Sequence, residues 1–220
     1  MSTSQKKNFT ILVTRNKSCH VRTMHTILIM NQLCALRNII QDISFVKDDR
    51  CVITDTITKK MKDSSGDRII FFDYGVSIAN HDTIAKMLDK FDAGGHCMVL
   101  PCVTEGIDWE RFKDTIESDE PLHQKGLHFD TEVSLTEAGD IRPVTRTNPV
   151  CWCWDIKPVN KLMKVKGEGL RLPPKNSDLF EKLISKKVKV TALTTAELMT
   201  VYPHECLGNI LNSSGVIQQM

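Results

Sequence analysis

The chain is poor in aromatic residues, nearly neutral overall, and without any long apolar run. Aromatics make up 6% of its 220 residues, with two Tyr, which argues against a platform for stacking single-stranded bases. A formal net charge of +2 gives no sign of a nucleic-acid binder. No stretch reaches the ~18–20 apolar residues of a membrane span, so none is expected. The polar start, Met1-Ser-Thr-Ser-Gln-Lys-Lys-Asn8, lacks the apolar segment and cleavage site of a secretory signal, and a cytoplasmic location is expected. The 8 Cys include no C-x-x-C pair, which removes zinc ribbons and thioredoxin-type motifs and fits reduced thiols. Also missing are G-x-x-x-x-G-K-S/T, G-x-G-x-x-G and G-x-S-x-G. The P-loop NTPase, Rossmann dehydrogenase and α/β-hydrolase readings lose their main support with them.

What the chain does have is alternation. Phe9-Thr-Ile-Leu-Val-Thr14 reads as a strand, followed by the polar turn Arg15 to His20. Val21 to Ile40 lacks Gly and Pro and is apolar nearly all round, which predicts a largely buried helix. Ile43-Ser-Phe-Val46 is a second strand, and Val52 to Lys62 a helix with many β-branched positions. Asp67-Arg-Ile-Ile-Phe-Phe-Asp73 is the strongest strand signal, broken at Tyr74-Gly75. Asn80 suits the N-cap of the next helix, which carries Ile84, Leu88 and Phe91 and stops at Gly94-Gly95. His96 to Leu100 is a further strand. This order predicts an α/β chain with a mostly parallel central sheet flanked by helices. Continuous apolar strands fit coverage on both faces.

Beyond residue 104 the pattern changes. Glu105 to Asp140 is acidic and reads as an insertion (105–148) with a short helix, Trp109 to Ile116, and a hairpin-like stretch. Val150 to Ile156 returns as a strand. Lys157 to Lys189 is basic, carries a helix capped by Ser177, and leads to a last strand over Val188 to Leu193. The basic stretch reads as a solvated face, or as a segment closing over a polyanion such as a diphosphate. A single domain is expected, with halves 9–104 and 149–220 on either side of the insertion.

Ligands of open α/β sheets bind outside the carboxyl ends of the strands. That selects Thr14-Arg15, Lys47-Asp48, Asp73-Tyr74-Gly75 and Pro101 to Thr104. Asp73 suits a divalent cation or a ribose hydroxyl, or else closes its strand as an Asx-turn. Cys19, His20, His25 and Cys34 have no zinc-finger spacing. Cys19 as a nucleophile beside His20 or His25 lacks an activating third residue. Trp152 and Trp154 share one strand face and suit core packing before a sugar-stacking platform.

In order and spacing, residues 9–165 resemble GT-A-type glycosyltransferases, the nucleotide-diphospho-sugar transferase kind. The chain also resembles glycosyltransferase-like proteins of large DNA viruses, for which a host cytoplasm would be the setting. The resemblance implies a GT-A-like domain that moves a sugar, of the hexosyl type, from a nucleotide-sugar donor to an acceptor. It implies nucleotide contacts at Thr14 and Arg15, a base or ribose contact at Asp48, and a donor site completed by Asp73 and Tyr74. Asp73 matches the first acid of an Asp-x-Asp motif that brings a divalent metal, Mn or Mg, to the diphosphate. Gly75 stands where the second acid would be, and His204 matches a late metal ligand. Asp155 or Glu197 would take the acceptor proton. Two other readings stand beside this one: a catalytically silent relative kept as a binding or assembly module, and another nucleotide-using α/β transferase such as a nucleotidyltransferase.

Overall fold

Strand β1 (Lys6–Thr14) lies inside the sheet because Phe9, Ile11, Leu12 and Val13 are apolar on both of its sides and fully buried. The computed structural model describes residues 5–89, 95–104, 108–117, 126–134, 139–163 and 172–200. β1 pairs in parallel with β2 (Ile39–Lys47) on one side and β3 (Arg68–Phe72) on the other. The crossovers are α1 (Val21–Leu36) and α2 (Arg50–Lys62). There follow β4 (Val76–Ile78), α3 (His81–Leu88), β5 (Cys97–Val99), α4 (Trp109–Asp114), β6 (Thr131–Val133), β7 (Ile141–Thr147) and β8 (Cys151–Asp155). Last come α5 (Ile156–Met163), α6 (Asn176–Ser185), β9 (Val190–Leu193) and β10 (Leu198–Thr200).

Among the described residues, eight strands form one sheet in the order β2-β1-β3-β8-β5-β9-β7-β6. β8 runs antiparallel to both β3 and β5, and β7 antiparallel to β9 and β6. The other six strands share one direction, so the sheet is mostly parallel, as the alternation predicts. β4 and β10 pair separately as a short antiparallel ribbon. No helix among the described residues is long and apolar enough to cross a membrane.

Alternate residues of each strand feed two cores. Ile69 and Phe71 join Trp152, Trp154, the α2 residues Ile53 and Ile57, and Phe180 on one face. Ile70 and Phe72 join Ile27 and Met30 of α1 and Ile84 and Met87 of α3 on the other. Trp152 stacks on Phe71 at 5.1 Å and on Trp154 at 4.2 Å between ring centroids. Both indoles are fully buried, so they are core residues and not a sugar platform.

Several local expectations change. α1 stops at Leu36 and Asn38 turns the chain with a positive φ of 55°, so Ile39 and Ile40 belong to β2. Nor is α1 buried all round: Val21, Leu28 and Leu36 are exposed. α2 tolerates its β-branched residues because the hydroxyls of Thr54 and Thr56 donate to the carbonyls of Arg50 and Val52, each at 2.8 Å. Ser177 is not a cap. α6 begins at Asn176, and the Ser177 hydroxyl donates to the Asp178 carboxylate instead. Asn80 does cap α3, accepting from the Asp82 and Thr83 amides at 2.7 and 3.1 Å, and α3 ends at Leu88; residues 90–94 lie outside the described residues. The stretch 105–148 supplies α4, β6 and β7, and β7 extends the main sheet through β9.

Candidate functional site at the carboxyl edge

β1 leaves the sheet through a tight turn. Arg15 and Ser18 exchange backbone hydrogen bonds of 3.1 and 2.9 Å, while Asn16 and Lys17 both take positive φ values, 49° and 59°. Such a two-residue turn holds Arg15 at the edge instead of letting it run on into α1. The His20 imidazole then caps α1, its Nδ1 accepting from the Arg22 amide.

Three strand ends meet beside that turn. The Asp48 amide donates to the Thr14 carbonyl at 3.0 Å, so β2 delivers Asp48 next to Arg15, and Arg15 Nε donates to Asp48 Oδ2 at 2.7 Å. The Arg15 guanidinium also lies 4.7 Å above the Tyr74 ring. Asp73, at the end of β3, accepts the Tyr74 amide at 2.8 Å, and its other oxygen lies 3.5 Å from Arg50 Nη2. The sheet therefore brings together Arg15, Asp48, Asp73 and Tyr74. Thr14 is adjacent, but its hydroxyl is committed to the Val46 carbonyl at 3.1 Å.

The electrostatics of the two acids differ. Asp48 is part-exposed, and its hydrogen bond raises the Arg15 guanidinium above its ordinary range. Asp73 is only 13% exposed, and burial pushes its carboxyl above the usual carboxylate range against the pull of the Tyr74 amide and Arg50. Gly75 follows with a φ of 76°, a conformation that disfavours any side chain. Hence the position that an Asp-x-Asp motif would fill with an acid is one where the backbone prefers glycine.

Arg50 was not anticipated from the sequence. A signal existed, since a basic first residue of a helix opposes the helix dipole and implies an acidic partner elsewhere. Asp49 is the helix cap, accepting the Cys51 and Val52 amides, so Arg50 is free to lean toward Asp73. Asp130 was also missed. Its carboxylate accepts the Cys102 amide at 3.0 Å and the Thr131 hydroxyl at 2.7 Å, and burial raises its titration. It ties the end of β5 to the stretch leading into β8, whose Val150 carbonyl receives the Asp73 amide at 2.8 Å.

The remaining expected residues lie elsewhere. Because β8 is antiparallel, its last residue, Asp155, sits at the amino edge, where it accepts from Arg68 Nε at 2.9 Å. Asp155 is thus held away from Asp73 by the whole length of β3. Glu197 follows β9 on the carboxyl side and is exposed, its carbonyl accepting the Ala79 amide at 2.9 Å. His204 lies outside the described residues. Among the described residues, no group of three or more His, Cys, Asp or Glu is placed to hold a metal ion. The single carboxylate at Asp73, already facing Arg50, does not by itself fit a metal centre.

No protein-family model and no curated protein matches the chain. Solved structures do. Protein A197 from STIV is 12% identical with a TM-score of 0.50, over 90% of this chain and 86% of that one. A mutant of Drosophila β1,4-galactosyltransferase 7, in complex with manganese, UDP-Gal and xylobiose, is 9% identical with a TM-score of 0.48, over 92% and 73%. A Bacillus anthracis protein described as a glucose-1-phosphate thymidylyltransferase is 9% identical with a TM-score of 0.49, over 97% of each chain. What this chain shares with such structures is a fold: a mixed α/β architecture with a large, mostly parallel sheet between helices.

Proposed function

We propose that the carboxyl edge binds the nucleotide diphosphate of a sugar donor and that the protein is a glycosyltransferase. The observation that carries this reading is the convergence of two guanidinium groups, Arg15 and Arg50, on two strand-end acids, Asp48 and Asp73. Glycosyl transfer breaks the bond between the sugar's anomeric carbon and the diphosphate oxygen and forms one to an acceptor oxygen. Negative charge develops on the departing diphosphate while the acceptor gives up a proton. Arg15 and Arg50 supply fixed positive charge for the diphosphate, in the way that preorganised donors stabilise a leaving group. Arg15 takes one oxygen of Asp48, Oδ2, and the other would accept from a ribose or base. Asp73 holds Arg50 in place and offers its buried carboxylate to a ribose hydroxyl. Of the two acids expected to take the acceptor proton, Glu197 is the one on the carboxyl side of the sheet.

No step in this account passes through a metal. That same feature favours a second reading, a binding module without transfer activity, because Gly75 and Arg50 leave Asp73 without a partner acid. A transfer assay over a panel of nucleotide sugars, with and without manganese, separates the two. The glycosyltransferase reading expects turnover that Asp73→Asn and Arg50→Ala each lower by roughly 10- to 100-fold, the worth of one charge-assisted contact. Undiminished turnover in Asp73→Asn overturns it. An inert wild type that still binds nucleoside diphosphates favours the binding module.

A further inference from the structure

We propose that α1 is a self-association surface, on which two copies pack their α1 helices antiparallel about a two-fold axis between Leu28 and Ile29. The inference goes beyond the donor site and does not depend on it. Thr23, Thr26, Ile27, Met30 and Cys34 face the sheet and are buried. At 100° per residue, Val21, His25, Leu28, Gln32 and Leu36 then point the other way. That outward face is apolar and open, with Val21 78%, Leu28 61% and Leu36 78% exposed. A helix on the surface of a monomer ordinarily carries its charges there. Here Arg22 is the one Lys, Arg, Asp or Glu in sixteen residues, and it lies to the side, against Met199.

The pattern is complementary to itself. A two-fold axis between positions 28 and 29 sets Val21 against Leu36 of the second copy and Leu28 beside its own counterpart. The same operation sets His25 against Gln32 of the second copy, a polar pair that can hydrogen-bond. A closed two-fold dimer requires this kind of self-matching patch. The charges agree as well. α1 has no acid in its first turn and no base in its last, and Arg37 at its C-cap is already paired with Asp89 at 3.3 Å. Antiparallel packing sets the dipoles of the two helices in opposition, each helix start beside the other's end. Phe45, 58% exposed, lies on the α1 side of β2 with Ile39 and Ile43 and widens the apolar area. α1 is 16 residues, or ~24 Å, long. Such a strip falls short of the ~800 Å² per partner of a standard interface, so dissociation is expected in the micromolar range.

The test uses the full chain and two charge variants, Leu28→Glu and Leu28→Lys, at a position exposed enough to leave the fold intact. Sedimentation velocity across about 1–300 µM should show the wild type passing from monomer to dimer. Each variant alone should stay monomeric, because like charges meet at the two-fold axis. An equimolar mixture of the two should recover the dimer. A wild type that stays monomeric throughout overturns the proposal, as does a dimer that either variant alone retains. A mixture that remains monomeric overturns the antiparallel geometry. Melting temperatures of the variants within about 2 °C of wild type establish that folding is not the cause, and Val21→Lys mixed with Leu36→Glu repeats the test if Leu28 variants unfold.

Discussion

Both edges of the sheet hold arginine–aspartate pairs, and they are built for opposite ends. At the amino edge, Arg68 is 8% exposed on its side chain, reaches Asp155, and also donates to the carbonyls of Met87 and Asp89. Three of this chain's own oxygens receive that guanidinium, which fastens β3, β8 and the end of α3 together. At the carboxyl edge, Arg15 and Arg50 are 59% and 46% exposed, and each has one carboxylate partner at the distances given above. About half of each side chain stays open to water. The same chemistry is thus a fastener where it is enclosed and, in the function proposed above, a receptor where it is left open. Exposed pairs of this kind contribute only ~0–1 kcal/mol to stability, whereas breaking an enclosed one is expensive.

That contrast can be broken at either end. The largest effect is expected from Arg68→Ala, which strands Asp155 and two carbonyls. Urea unfolding should show a loss of about 2–4 kcal/mol, below the ~3–5 kcal/mol of a fully buried pair because Asp155 retains some water. If Arg68→Ala costs no more than Arg15→Ala, the two edges are not different in kind. Next is Gly75→Ala, which forces a side chain into left-handed backbone and should cost roughly 1–2 kcal/mol by the same measurement. Arg15→Ala and Arg50→Ala should leave the melting temperature within about 2 °C and weaken nucleoside diphosphate binding about tenfold each, read by calorimetry. The smallest effect is that of pH. Since burial raises the Asp73 carboxyl, the folded state holds that proton more tightly than the unfolded chain. Stability attributable to Asp73 is therefore full at pH below the ordinary carboxylate value and is lost as pH rises through its raised value. Asp73→Asn should remove that dependence, so that the gap between variant and wild type shifts in the variant's favour from acid to neutral pH. A pH-independent difference contradicts it.

Much of this arrangement was legible in the sequence, and the limits of legibility are physical. The strand ends at Thr14, Asp48 and Asp73 could be read because parallel strands deliver successive residues to one edge, and Asn80 because a cap is a local device. Asp155 was misplaced for a global reason. Nothing within Cys151–Asp155 says that the strand runs antiparallel, and direction alone decides which edge its last residue reaches. Arg50 and Asp130 were missed because each matters through a partner distant in sequence, Asp73 in one case and Cys102 in the other. α1 looked buried all round because its outward face is as apolar as its inward one. An all-round apolar pattern could not say that one face has no covering neighbour among the described residues.

The central claim is that the carboxyl edge, and not the amino edge, receives a nucleotide diphosphate. Titration calorimetry with UDP, GDP, CDP and ADP on wild type, Asp73→Asn and Asp155→Asn addresses it directly. The account predicts saturable one-to-one binding of at least one of them, weakened about tenfold or more by Asp73→Asn and unchanged by Asp155→Asn, which should lower stability instead. Binding that survives Asp73→Asn but is lost in folded Asp155→Asn, or no binding by the folded wild type at millimolar nucleotide, would contradict it.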